Sequence, residues 1–353
     1  MFDLTFYKGK KVFITGHTGF KGTWLCKILI NSGAIVCGYS LEPQTKPNLF
    51  SLSNIERQMN SNIGDIRDFA KLKSIFDSFD PEIVIHLAAQ PLVRDSYDNP
   101  VYTYETNVLG TVNICECVRL SKRVKSFLNV TTDKVYFNED IPNHAFKEEE
   151  PLDGYDPYSN SKSCSELITH CYKNSFYNHI DIAVSTARAG NVIGGGDFAK
   201  DRIIPDCIRA IEKNEKIIVR NPYSTRPYQH VLEPLYIYLD ICANQYLNKN
   251  YQGYYNVGPD DCDCVNTGEL VDKFCKAWGN NLSWINKHDG GPHEAAYLKL
   301  DNTKIKNVFG WKPRWHIDEC IKKIIEFTKV YLEDKEKIAS EMDKEIKVFF
   351  EVV

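Results

Sequence analysis

The segment "FLNVTTDKVY", Phe127 to Tyr136, runs from apolar residues into two threonines, then sets a carboxylate, Asp133, beside an amine, Lys134. A carboxyl can hold or release a proton, and a desolvated amine near another cation can act as a base. An isolated pair of this kind at a strand end is ordinarily a surface ion pair, so its chemistry depends on what else converges there. Just downstream, "GYDPYSNSKSCSEL" carries Tyr158 and Lys162 four residues apart, on one face if a helix begins near Pro157. A neighbouring ammonium lowers a tyrosine pKa, which makes the phenolate a usable base for an alcohol proton while hydride leaves the same carbon. The spacing alone is weak, because the chain has 20 tyrosines and Tyr7/Lys11 repeats it ahead of the first strand. Tyr158 differs by opening a helix shortly after "TTDKVY".

A third group could hold a cofactor. "TGHTGFKG" places Gly16, Gly19 and Gly22 between an apolar run and a helical pattern. Without Cβ atoms such a turn lets the backbone approach a pyrophosphate, and the helix N-terminus offers free N–H groups to the anion. At the end of the next apolar run "GYSLEP" supplies Ser40 and Glu42, with no Arg or Lys to attract a 2′-phosphate, so NAD is favoured over NADP. "GDIRD" sets Asp65 and Ile66 to flank an adenine. "HLAAQ" ends a run with Ala88, Ala89 and Gln90, small residues followed by an amide. Taken singly, each of these is also an ordinary strand end.

These residues need a scaffold, and the first half of the chain supplies one. "KVFIT", "AIVCGYS", "EIVIHLAA", "SFLNVTT" and "DIAVSTAR" are nearly continuous apolar runs, as expected of parallel strands covered on both faces. Helical patterns alternate with them, which predicts an α/β, doubly wound parallel Rossmann sheet with right-handed crossovers. From Gly190 the rhythm breaks into Gly-, Pro- and Arg-bearing loops, which suggests a smaller α/β substrate lobe. The expected division is residues 1–190, with a returning segment near 228–258, and residues 191–353. The charged end "LEDKEKIASEMDKEIKVFFEVV" reads as a solvated amphipathic helix.

Composition limits the partners. A net charge of −4 over 353 residues with no dense basic block argues against nucleic acid. No apolar stretch reaches membrane-spanning length and the start lacks a signal-peptide core, so a cytoplasmic protein with no membrane partner is expected. The 12 cysteines are scattered, without a C-x-x-C array of zinc spacing, which predicts reduced thiols and no metal.

Taken in order, "GKKVFITGHTGFKGTWL", "IGDIRD", "HLAAQPLVRDSY", "TTDKVY", "DPYSNSK", "RAGNVIGGGDFAKDRIIPD", "RNPYSTRPYQHVLEPL" and "GPHEAAYLKLD" resemble segments of the extended short-chain dehydrogenase/reductases, and within them the nucleotide-sugar 4,6-dehydratase family. The likeness is strongest to the branch acting on CDP-glucose, which implies that substrate and tightly held NAD. In that family hydride leaves sugar C4, water is lost across C5 and C6, and hydride returns to C6. The resemblance implies Tyr158 as base, Lys162 as its support, Thr132 at the reacting oxygen, Asp133 as acid and Lys134 as the C5 base, although the dTDP-glucose members carry Glu at the last position. It extends the cofactor set to His17, Thr18, Phe20 and Asn107. For the substrate it implies Asn191, Arg202, Arg226 and His293, with Gln90 and Arg94 facing the sugar or diphosphate. The helices around 107–122 and 158–176 resemble those that pair subunits in a four-helix bundle, so a homodimer is expected. A 4-epimerase and a non-catalytic NAD-binding regulator are the competing readings. The first needs no acid at C6, and the second has no use for an aligned proton relay.

Overall fold

Seven strands hydrogen-bond into one sheet: β1 (Lys11–Thr15), β2 (Ile35–Ser40), β3 (Asn60–Ile63), β4 (Ile83–His86), β5 (Ser126–Val130), β6 (Ala183–Ala189) and a last strand, Tyr254–Val257. The structure is a computed structural model and describes residues 3–287, 290–291 and 295–351. Every pairing in the sheet is parallel. The order is Tyr254–Val257, β6, β5, β4, β1, β2, β3. The strand order therefore reverses between β1 and β4, where Thr15 lies opposite His86. Such a reversal opens a crevice beyond the carboxyl ends of the strands. The glycine turn after β1, the small residues after β4 and the Asp133 segment after β5 all border it.

The apolar runs are continuous because both faces are covered. Phe13, Val84, Phe127 and Val184 point to a core formed with the helices Phe69–Phe79 and Gly110–Leu120. Their neighbours Val12, Ile14, Ile85 and Leu128 point to the other core, with the helices Phe20–Asn31 and Leu232–Leu247. β3, "NSNI", was not among the expected strands. It is a polar edge strand paired only with β2, so it never needed an apolar face. The Tyr254–Val257 strand, from the second half of the chain, closes the opposite edge beside β6.

The helix Pro157–Ser175 starts where its sequence dictates. Asp156 accepts a hydrogen bond from Ser159 N, and Pro157 fills the first turn, where its missing N–H costs nothing. That cap fixes Tyr158 in the first turn, facing the end of β5. Deeper in the same helix, Glu166 forms a buried ion pair with Arg188 of β6 at 3.0 Å. Thr131 and Thr186 also donate to its carboxylate, and Arg188 reaches Tyr136 at 2.8 Å. The pair ties helix, β5 and β6 together directly behind Asp133. Removing one partner leaves the other charge buried and uncompensated.

Outside the seven-stranded sheet the strands are short. Thr225–Pro227 pairs antiparallel with Cys264–Asn266, and Ile217–Val219 pairs parallel with Trp284–Asn286. Arg188→Met is expected to cost about 3–5 kcal/mol of stability. Chemical denaturation of the variant and the parent protein measures it, and a loss under 1 kcal/mol would mean the network is not a structural tie.

Candidate active site

β5 ends at Val130, and the extended Thr132 caps a single turn, Asp133–Val135. That turn directs Asp133 inward and leaves Lys134 at the cavity wall. Asp133 is only 2% exposed, and the Thr132 hydroxyl donates to its Oδ1 at 3.0 Å. Among the described residues Oδ2 has no hydrogen-bond partner. The space for that oxygen is made by Gly190, where a Cβ would lie 2.5 Å from Oδ2 and 2.6 Å from Pro227 Cγ. Burial holds the Asp133 carboxyl above the ordinary 3.8, against the pull of Lys134, the Thr132 hydrogen bond and Arg226. A carboxyl whose pKa is raised in this way is better suited than a free aspartate to give a proton to a departing oxygen.

Tyr158 and Lys162 lie on the same helix face as expected, but the expected electrostatics are reversed. Tyr158 is pushed up to about 12, chiefly by burial and also by Asp133, while Thr132 and Arg202 pull the other way. Lys162 is pushed down to about 7 by burial and by the neighbouring charge of Lys21, with Glu166 opposing. Its ammonium donates to Val130 O at 2.9 Å. Lys162 is buried and Tyr158 half-buried, which disfavours ammonium and phenolate alike, so Lys162 does not by itself produce a low-pKa tyrosine. The hydrogen bond from Thr132 and the Arg202 charge are the protein groups that favour the phenolate.

Thr132, Asp133, Lys134 and Tyr158 line one cavity of about 490 Å³. Arg94, Asn191, Arg202 and Arg226 line it too, so the structure brings four of the five catalytic candidates, all but Lys162, and four of the substrate candidates to a shared space. Arg226 is almost fully buried and its charge is felt at Asp133. Arg202 is held by Asp197 at 3.1 Å. His293 lies outside the described residues. Gln90 is not brought to the cavity wall: its Oε1 accepts from Leu92 N and its Nε2 donates to Leu92 O and Thr103. It shapes the turn that leads into the helix Val93–Asp98, which carries Arg94.

The glycine turn fits a dinucleotide. Gly16 has φ +79°, and a Cβ there would lie 2.8 Å from Ala88 N; at Gly22 it would lie 2.1 Å from Gly16 O. Only glycine allows the turn, the small Ala88–Ala89 strand end and the helix to close together. Gly19 is the N-cap of the helix Phe20–Asn31, and Phe20 reaches the cavity. Thr18 hydrogen-bonds Ser40 at 3.0 Å and Leu41 O, tying the turn to the end of β2, while Glu42 is exposed. His17 is buried against Gly38, bonds Ser61 at 2.8 Å and is kept neutral by burial, its pKa down to about 4. The Asp65 carboxylate is held by Arg67, and Ile66 is buried against Gly110. Asn107 is likewise committed to the protein, bonding Gln90 N, Gln90 O and Ser161 from a π-helical turn, Glu105–Leu109. Its role in the structure is to position the loop after β4.

Two residues of the site were not singled out from the sequence. Lys21, inside the glycine turn, lines the cavity and is pushed down to about 8 by burial and Arg202. A lysine at the start of a dinucleotide-type helix was the available signal. Gly190, at the end of β6, was visible only as the point where the βα rhythm stops.

The model of the GDP-mannose 4,6 dehydratase family matches residues 13–324. The chain is 46% identical to a CDP-glucose 4,6-dehydratase of Salmonella typhimurium over 96% of each chain. Among solved structures it resembles a UDP-glucose 4-epimerase of Thermotoga maritima with UDP-glucose, with TM-score 0.78 and 22% identity over 92% of this chain and 100% of that one. It also resembles a dTDP-glucose 4,6-dehydratase of Bacillus anthracis in complex with NAD, with TM-score 0.74 and 20% identity over 93% and 99%. At those identities the structural likenesses establish the fold.

Because the folded pKa of Asp133 is raised, its protonated form favours the fold, and that stabilisation is present below 3.8 and lost as pH rises through the folded value. Asp133→Asn is therefore expected to raise Tm at pH 7. A lower Tm in calorimetry would show that the carboxylate is stabilised where it sits.

Proposed function

Because the chain belongs to the GDP-mannose 4,6-dehydratase family, we propose that it is an NAD-dependent nucleotide-sugar 4,6-dehydratase that converts CDP-D-glucose to CDP-4-keto-6-deoxy-D-glucose and water. The observation that carries the reading is the buried Asp133 carboxyl, with one oxygen unpartnered among the described residues, on the same cavity wall as Tyr158 and Lys134. The 46% identity over nearly the whole chain to a CDP-glucose 4,6-dehydratase supports the choice of CDP-glucose. Gly16, Gly19 and Gly22, with Thr18 and Ser40, would hold NAD at the glycine turn. When bound, NAD accepts hydride from sugar C4 and returns it to C6.

The chain's residues then move protons. The Tyr158 phenolate oxygen takes the proton of the C4 hydroxyl, with Thr132 beside it. The ketone so formed acidifies the C5 hydrogen, which the Lys134 amine removes. The C6–O bond breaks as Asp133 gives its proton to the leaving hydroxyl, so that water departs and a C5–C6 double bond remains. Lys134 returns its proton to C5 as hydride arrives at C6. The proton taken by Tyr158 replaces the one Asp133 gave, so the proton count closes. Asn191, Arg202 and Arg226 bind the diphosphate, Arg226 by a buried guanidinium suited to forked phosphate contacts. A 4-epimerase would have no use for the acid at C6, and the buried carboxyl therefore favours dehydration.

The active form is proposed to be a cytoplasmic homodimer. Leu109 and Leu167 stand 54% and 52% exposed on the helical segments that would form a four-helix bundle. Among the described residues no helix is long and apolar enough to cross a membrane. The described cysteines are free thiols, in keeping with a reducing compartment.

Incubated with CDP-glucose, the protein is expected to yield a product lighter by one water. Mass spectrometry checks this against dTDP-, UDP- and GDP-glucose, and unchanged mass with CDP-glucose alone would refute the reading. Asp133→Asn should slow water loss about 100-fold or more with NAD affinity little changed. Lys134→Met should keep C4 oxidation yet block exchange of the C5 hydrogen with solvent deuterium, and normal exchange in that variant would remove Lys134 from the base role.

A further inference from the structure

The turn Asp261–Asp263, at the outer end of the substrate lobe, carries Cys262 and Asp263, and the loop before the helix Ile317–Glu333 carries His316. The chain folds so that His316 Nδ1 lies 2.8 Å from Asp263 Oδ2 and 3.9 Å from Cys262 Sγ. All three potential ligand atoms fall within 4.8 Å of one another. Asp263 is buried and its other oxygen accepts from Ile317 N at 2.9 Å, which fixes the carboxylate, while Cys262 and His316 are exposed and open to an entering ion.

We propose that Cys262, Asp263 and His316 form a binding site for a divalent, borderline-soft cation of the Zn²⁺ class, separate from the catalytic cavity. A thiolate, an imidazole and a carboxylate are the donor types such an ion takes, and three protein ligands leave a fourth position for water. The separations are those of ligands around one small ion. The second shell is in place, since the Ile317 N–H holds the carboxylate in orientation. Asp260 and Glu233 add negative potential at His316. Binding displaces the thiol proton to solvent, and the Nδ1 proton where the imidazole carries one there, and replaces the Asp263–His316 hydrogen bond by two metal bonds.

The site has a mechanical consequence. Cys264–Asn266 follows the turn directly and pairs with Thr225–Pro227, with Val265 opposite Arg226. A bound ion would clamp the turn to the helix Ile317–Glu333 and so brace the strand pair that presents Arg226 to the cavity.

Cobalt(II) titration of the metal-stripped, tag-free full chain tests the proposal, with zinc(II) as competitor. One equivalent of cobalt should produce thiolate-to-cobalt charge-transfer absorption that zinc abolishes and that raises Tm. Cys262→Ser should lose that absorption and bind cobalt at least about tenfold more weakly. His316→Gln should weaken binding similarly, and far-UV circular dichroism should show both variants folded. If Asp263 and His316 are only an ion pair, equimolar cobalt gives no charge-transfer band, and the proposal fails. It fails equally if the band persists in Cys262→Ser, because another thiol is then the ligand.

Discussion

The site depends on the desolvation of one carboxyl group. Asp133 follows a fully buried strand, and the fold shields it with Thr132 on one side and the bare backbone of Gly190 on the other. A carboxylate moved out of water without full hydrogen bonding is penalised, so the group retains its proton to higher pH than a free aspartate. The reversal of strand order between β1 and β4, the cap that starts the Pro157–Ser175 helix and the Glu166–Arg188 tie all keep that carboxyl beside the phenol and the amine.

Around the acid the cavity is cationic. Lys21, Lys134, Arg202 and Arg226 share the space with Asp133, and Lys162 lies close enough for Lys21 to depress its pKa. Crowded, partly desolvated cations are costly in the free protein and are relieved by an anion, which makes the cavity selective for a phosphate-bearing ligand. The price is a tyrosine held near 12, so the phenolate is favoured by few protein groups, Thr132 and Arg202 foremost. The local rules that would make Tyr158 an easy base and Asp133 a mere anion both fail at this one place, as expected where function overrides local preference.

Much of the scaffold was legible in the sequence, for a physical reason: parallel strands buried on two faces leave continuous apolar runs, and the glycine turn has a steric signature. β3 was not legible, because a polar edge strand carries no such run. The residues lining the cavity were found by segment likeness. What they do electrostatically was not, because the shifts on Tyr158 and Lys162 come from burial and from Lys21, a contact made only in three dimensions. Gln90 and Asn107 show the same limit: their positions along the chain are right for a ligand contact, yet their amides are committed to each other's loop. The Cys262, Asp263 and His316 group lay outside any spacing rule, since its imidazole is 54 residues from its thiol.

The most direct measurement is the titration midpoint of the Asp133 carboxyl in the folded protein, read by carbon-13 NMR of labelled aspartate with Asp133→Asn identifying the signal. A midpoint clearly above 3.8 is what burial beneath Gly190 requires. A midpoint at or below 3.8 would show a carboxylate stabilised by its neighbouring cations, and Asp133 could not then serve as the acid.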